Sequence, residues 1–244
     1  MAFAIAAQPF LRRHNIFHHI SKSHRSHQPL SPPSRCSRSL IMSTTQSPPK
    51  PISTPSEEYF DILDSTGKSL NLTKPRSQVH RDGDWHATVH IWLLNSRNQL
   101  LLQKRSATKD TFPGRWDVSA AGHISSGHSA YESAIRELEE ELSLDKEKDN
   151  FELEFLFQVC SSNSGTAGKD EFLDNEIQNV FVVRKDFKVE EMELEEGEID
   201  EIKYFDYREY RDGQEREDHT LVPRPLQYQE RLFTWLERQK SASE

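Results

Sequence analysis

Cysteine is nearly absent: the 244 residues hold only Cys36 and Cys160. That excludes a disulfide framework and a four-thiolate zinc site, and it fits a reducing compartment. Long apolar runs are missing too. The longest are strand-sized, well short of the roughly 20 residues of a membrane-crossing helix, so no membrane partner is expected. Neither GxGxxG nor GxxxxGK[ST] occurs, which removes two common glycine-loop phosphate cradles. Acid is missing from the start of the chain. Glu57 is the first acidic side chain, after Arg12, Arg13, Lys22, Arg25, Arg35, Arg38 and Lys50. With a net charge of −9 overall, the part from Glu57 onward is more acidic still. Such a body offers no positive surface for counterion release, and no nucleic-acid partner is expected.

What is present divides in two. Residues 1–55, rich in Ser, Arg, His and Pro, read as a transit peptide or a disordered N-terminal segment. The composition favours a chloroplast address over a mitochondrion, and a chain begun at Met42 would be cytosolic. Residues 56–244 read as one domain. YFDIL (59–63) and the following SLNLTK suggest a hairpin. HATVHIWLLN (86–95), QLLLQKR (99–105), WDVSAAGH (116–123), FELEFLFQVCSS (151–162) and EIQNVFVVRKDFKV (176–189) read as extended segments. The polar stretch 163–175 reads as a loop, 196–202 as a short helix and 212–218 as a solvated loop. Two segments have helical period. Tyr131, Ala134, Ile135, Leu138 and Leu142 form one stripe; Leu226, Gln229, Leu232, Phe233 and Leu236 form another. Strands interleaved with helices indicate a mixed α/β sandwich.

Four carboxylates crowd the first of these helices: Glu137, Glu139, Glu140 and Glu141. Like charges at this spacing repel, and such clusters are commonly solvated faces. At helical spacing, however, Glu137, Glu140 and Glu141 converge on one edge while Glu139 points away. A helix anchored by its apolar stripe would present their oxygens rigidly, which suits Mg²⁺ or Mn²⁺. Arg136 is placed to brace them through a charge-assisted bond.

The string around this helix resembles the Nudix box. Gly122, Arg136, Glu137, Leu138, Glu140, Glu141 and Leu144 match at the required spacing; His128 replaces a Glu and Ser143 a Gly. The resemblance implies a Nudix-type α/β/α sandwich with a mixed central sheet, and a divalent-metal-dependent hydrolase of diphosphate linkages. The substrate would be a small phosphorylated metabolite of nucleoside-diphosphate or prenyl-diphosphate type. By position, Glu137, Glu140 and Glu141 would ligate the ions. The proton of the attacking water would pass to one of these helix Glu, to Glu176 or to Glu198.

Upstream, His80-Arg81, His86, the LLLQKRS…K…FPG…W run and His123 resemble the subgroup of isopentenyl-diphosphate isomerase and its hydrolase-like relatives. That resemblance implies a metal held by His80, His86 and His123, with Glu176 near it. An isomerase would need a thiol between Asp117 and Gly122, and none is there. Cys160 lies far off, at a position expected to face the core. Isomerase chemistry and a non-catalytic Nudix-like binding module stand as alternatives to hydrolysis. Lys104, Arg105, Lys109 and Arg81 are candidate diphosphate contacts, and Trp116, with Phe112 and Trp92, a candidate stacking surface.

Overall fold

Strand periodicity and turn residues set the frame of the sheet. The computed structural model describes residues 57–109, 111–167 and 170–241, which belong to a unit running from Ile52 to Glu244; the segment read as a transit peptide lies outside them. Tyr59–Leu63 (β1) and Ser69–Pro75 (β2) form the expected antiparallel hairpin. Arg76–Asp82 (α1) follows. This helix escapes sequence reading because it is short and buries only Val79. Gly83 ends it in the left-handed region, at φ 69°, a conformation glycine takes at little cost.

Trp85–Leu94 (β3) is the centre of the sheet. It pairs antiparallel with Gln99–Arg105 (β4) and parallel with Asp170–Arg184 (β8), so the sheet is mixed. The segment expected as one strand over 116–123 is two, Trp116–Asp117 (β5) and Ala120–His123 (β6), because they pair with different neighbours: β5 with β4, and β6 with β3. Ala130–Leu142 is α2, and Leu153–Ala167 (β7) runs antiparallel to β8. Ile199–Asp206 (β9) pairs with β4, and Tyr207–Glu215 (α3) and Leu226–Ser241 (α4) complete the chain.

Three expectations are corrected here. Residues 163–175 are not a loop but lie mostly in the long β7–β8 hairpin, whose ladder continues from Leu153↔Val183 to Ala167↔Asp170; polarity there does not mark a break in the strand. Residues 196–202 are not helical. Gly197 turns the chain at φ 86°, and Ile199 and Ile202 then pack inward from β9. Residues 212–218 are not all loop, since α3 reaches Glu215 by burying Tyr207, Tyr210, Gly213 and Gln214 on one side.

Two apolar clusters cover the two faces of the sheet. On one, Val89, Ile91 and Leu93 of β3 meet Ala134, Leu138 and Leu142 of α2. On the other, Trp92, Leu94, Val180 and Val182 meet Tyr207, Tyr210, Tyr228, Leu232 and Leu236 of α3 and α4. The period of 2 in β3 therefore serves two helix layers, and the result is an α/β/α sandwich. Tyr131 and Leu226, expected in the buried stripes, are exposed; each stands in the opening turn of its helix. Cys160 is exposed rather than core-facing. A register shift between Phe155 and Phe157 resets the alternation, so Phe157, Val159 and Ser161 turn inward instead. No described helix is long and apolar enough to cross a membrane.

α2 is fixed at both ends. Ser129 accepts from the Glu132 N–H, and the Glu132 carboxylate accepts from the Ser129 N–H, a complete capping box. At the other end Ser143 adopts φ 53°, its N–H donating to Glu139 O while Leu144 N–H donates to Leu138 O. A side chain in this conformation costs about 1 kcal/mol relative to glycine. Ser143→Gly is accordingly expected to raise the unfolding free energy by about 1 kcal/mol, read from chemical denaturation, with an unchanged slope.

Candidate active site

Gly122 and the Glu137 carboxylate meet too closely for any Cβ between them. A Cβ built on Gly122 would overlap the Glu137 carboxylate, so glycine at this place is what lets Glu137 lie against β6. Arg136 donates to Glu137 Oε1 at 2.8 Å, to Glu140 Oε2 at 2.7 Å and to His123 O at 3.1 Å, tying the helix edge to the strand. Glu141 Oε2 accepts from Ala121 N–H at 3.1 Å and from Gln103 Nε2 at 3.3 Å. Glu137 and Glu141 are buried and line a cleft of about 630 Å³. Glu140 sits on the outer edge with half its side chain exposed, and Glu139 faces solvent.

A second group converges at the same cleft, whose lining includes its His80, His123 and Asp174. His80 comes from α1, His86 from β3, His123 from β6 and Asp174 from β8, and one donor atom of each lies within 4.8 Å of the others. Asp174 Oδ1 is 3.7 Å from His80 Nε2 and 3.6 Å from His86 Nε2. All three Nε2 atoms and Asp174 Oδ1 are buried with no hydrogen-bond partner. Buried polar atoms are rarely left unpaired, and four converging on one point fit a cation. His86 Nδ1 lies 3.1 Å from Asp84 O, a bond that leaves Nε2 as the free lone pair. Phe60 stacks on His86 and His123 at 5.3 and 4.7 Å. Burial holds His80 down to about 4 and His123 well below the usual histidine range. Neutral imidazole is the form that binds metal.

The carboxylates shift the other way. Burial, reinforced by Glu140, pushes Glu137 up to about 7 despite Arg136; burial and Glu137 push Glu141 up to about 8; burial and Asp174 push Glu176 up to about 8. Such groups are uncomfortable as anions unless a cation joins them. Also in the lining, Lys109 pairs with Glu198, and Arg105 is bonded to Asp117 and to Thr111.

Of the residues singled out in the sequence, Glu137, Glu141, Glu176, Glu198, His80, His123, Arg105, Lys109, Arg136 and Phe112 line this cleft. Lys104, Arg81 and Trp116 are not in its lining, nor is His86, which is fully buried. Lys104 faces Glu201 from 4.0 Å, Arg81 pairs with Asp82, and the Trp116 ring packs edge-on against Phe205. Trp92 is fully buried in the core. His128, the departure from the box, is exposed and outside the lining. Sequence reading missed Asp174 and Arg224. Asp174 could have been found by period 2, since it shares a strand face with Glu176 and Gln178; Arg224 gives no such signal.

The NUDIX domain pattern matches residues 84–225, more than half of the chain. The chain belongs to that family. Nudix hydrolase 3 of Arabidopsis thaliana is 44% identical over 171 residues, which cover 68% of this chain and 22% of that protein. The chain thus spans less than a quarter of that relative's length. An uncharacterised Nudix hydrolase of Clostridium acetobutylicum is 34% identical over 146 residues, 59% of this chain and 67% of its own. Among solved structures, a Deinococcus radiodurans protein superposes with a TM-score of 0.52, covering 74% of this chain and 98% of its own at 19% identity. That likeness is one of fold.

The raised carboxylates make a signed prediction. An acid whose folded pKa exceeds its unfolded value binds its proton more tightly when folded. Its contribution is full below about 4.5 and is lost as pH rises through 7 to 8. Glu141→Gln removes one such group. In metal-free protein the stability gain of this variant over wild type should grow by roughly 3–4 kcal/mol between pH 5 and pH 8. Thermal melts across that range check it, and a gain that is flat with pH would contradict it.

Proposed function

We propose that this chain is a divalent-metal-dependent hydrolase that cleaves a diphosphate linkage in a small phosphorylated metabolite. The observation that carries the reading is the set of unpaired buried Nε2 and carboxylate oxygens gathered in one cleft beside the box glutamates. Bound divalent cations, Mg²⁺ or Mn²⁺, would neutralise the incoming diphosphate and lower the pKa of a bound water. Glu137 and Glu141, with Glu140 at the rim, are the oxygen donors. His80, His86, His123 and Asp174 are a mixed nitrogen and oxygen set, which suits Mn²⁺ better than Mg²⁺.

The chain's own residues do the rest. Arg136 keeps Glu137 and Glu140 in place, and Lys109 draws the negative substrate toward the box. Arg105 contributes positive charge from the same cleft lining. Glu176 takes the proton of the attacking water on its carboxylate as the phosphorus–oxygen bond breaks. Its raised proton affinity suits that task near neutral pH. His80, His86 and His123 resemble the set of the isopentenyl-diphosphate isomerase-like branch, but isomerisation needs an acid and a base on the carbon skeleton. Asp117–Gly122 carries no thiol, and Cys160 is exposed and outside the cleft lining. The alternative of a non-catalytic Nudix-like module rested on His128, whose position outside the lining removes that support. We further propose residues 56–244 as the catalytic domain and a chloroplast address for 1–55.

The test is an assay with Mg²⁺ or Mn²⁺ against sugar diphosphates, dinucleotides, coenzyme A and prenyl diphosphates. Glu141→Gln should lower kcat by roughly 10²-fold or more with the fold retained by circular dichroism, and His128→Glu should change it less than about twofold. Wild-type turnover no higher than that of Glu141→Gln on every substrate would sink the hydrolase reading.

A further inference from the structure

The cleft continues past the box and the histidines, and that extension has no role yet. Along β3 the side chains of His86, Thr88 and His90 share one face. The parallel register sets Glu176 beside His86 and Gln178 beside Thr88. Thr88 and Gln178 therefore stand one strand step, about 7 Å, beyond the metal-ligand end. Thr88 Oγ1, Gln178 Oε1 and Arg224 Nε are all buried with no partner, and all three residues line the cleft.

Each of these atoms is held in place. Gln178 donates through Nε2 to Glu176 Oε2 at 2.7 Å, which leaves Oε1 as a free acceptor. Arg224 pairs with Asp117 through its terminal nitrogen. Its backbone N–H donates to Gln214 Oε1 at 3.0 Å, and its carbonyl accepts from Gln229 Nε2 at 2.8 Å. The Nε–H is thus a fixed donor. His90 adds a polar ring. Tyr228 Oη accepts from Trp92 Nε1 at 2.9 Å and is hydrogen-bonded to His90 Nδ1 at 3.3 Å. Burial and the nearby Arg224 and Arg105 disfavour the charged form of that ring, and a neutral imidazole offers one nitrogen as donor and the other as acceptor.

The geometry points to a subsite for the organic moiety of the substrate, built by Thr88, His90, Gln178 and Arg224, that takes a hydroxylated carbon skeleton of sugar type in preference to a hydrocarbon chain. A fixed donor on Arg224 and a fixed acceptor on Gln178, beside the Thr88 hydroxyl, match hydroxyls, which do both. A hydrocarbon would leave every one of these atoms dry and unpaired. The carbon-rich lining is meagre: among the described residues Phe112, Ala121, Val222 and Pro223 supply it. An anionic group would satisfy the donors and leave Gln178 Oε1 facing a like partial charge. The assignment rests on the hydrolase reading only for which end holds the diphosphate.

Two probes of equal carbon number and the same diphosphate group separate the classes: ribose 5-diphosphate and isopentenyl diphosphate. Calorimetric titration of the Mn²⁺-loaded protein should show at least about tenfold tighter binding of the ribose compound. Thr88→Val, which removes a hydroxyl without changing shape, and Arg224→Lys, which keeps the charge but loses Nε–H, should each reduce that ratio severalfold. Equal or tighter binding of isopentenyl diphosphate, or a ratio untouched by both substitutions, would overturn the subsite. Phosphate release is followed separately. If the ribose preference holds and neither probe nor any other diphosphate is hydrolysed, the subsite stands and the hydrolase reading falls.

Discussion

The contact of the Glu137 carboxylate with the bare backbone of Gly122 is the constraint on which the site depends. Any Cβ there would overlap the Glu137 carboxylate and force it from this place. The apolar stripe of Ala134, Leu138 and Leu142 supplies the packing that draws the helix down, and Arg136 locks the edge by binding Glu137, Glu140 and the His123 carbonyl together. One close approach thereby couples the glutamate edge of the helix to the strand that carries His123. The two candidate metal-holding groups are set by the same piece of backbone.

Charge and solvation set the character of the cleft. Its histidines are kept neutral and its carboxylates are driven toward neutrality by the same burial. Such a cavity holds many polar atoms that are expensive to bury unpaired. Lys109 and Arg105 offset some of the negative charge, yet the four converging atoms of His80, His86, His123 and Asp174 find no partner. A cation reconciles both halves: it accepts neutral nitrogen lone pairs and it makes ionised carboxylates stable.

Much of this was legible in the residues. The strand pattern of β1 to β4, the two long helices, and the Arg136–Glu137…Glu140–Glu141 edge follow from periodicity and spacing, because each signal is local. What stayed hidden depended on pairing between distant segments. Residues 163–175 look like a loop by composition, and only the ladder between β7 and β8 makes 163–167 and 170–175 strand; Asp174 was lost with them. Cys160 was misplaced by a bulge that no alternation count can foresee. Arg224 comes from an irregular segment after α3, and its place beside Asp117 is set by tertiary packing alone. Lys104, Arg81 and Trp116 are close in sequence to cleft residues but their side chains leave by other faces, as period 2 and surface pairing dictate.

The central claim, that the buried unpaired atoms of this cleft are held for divalent cations, is tested most directly by anomalous diffraction from crystals grown with Mn²⁺. The expected result is an ion within about 2.3 Å of Nε2 of His80, His86 and His123 and of the Asp174 carboxylate, with further density at Glu137 and Glu141. A cleft filled by water alone, with Mn²⁺ found only on the surface, would contradict it.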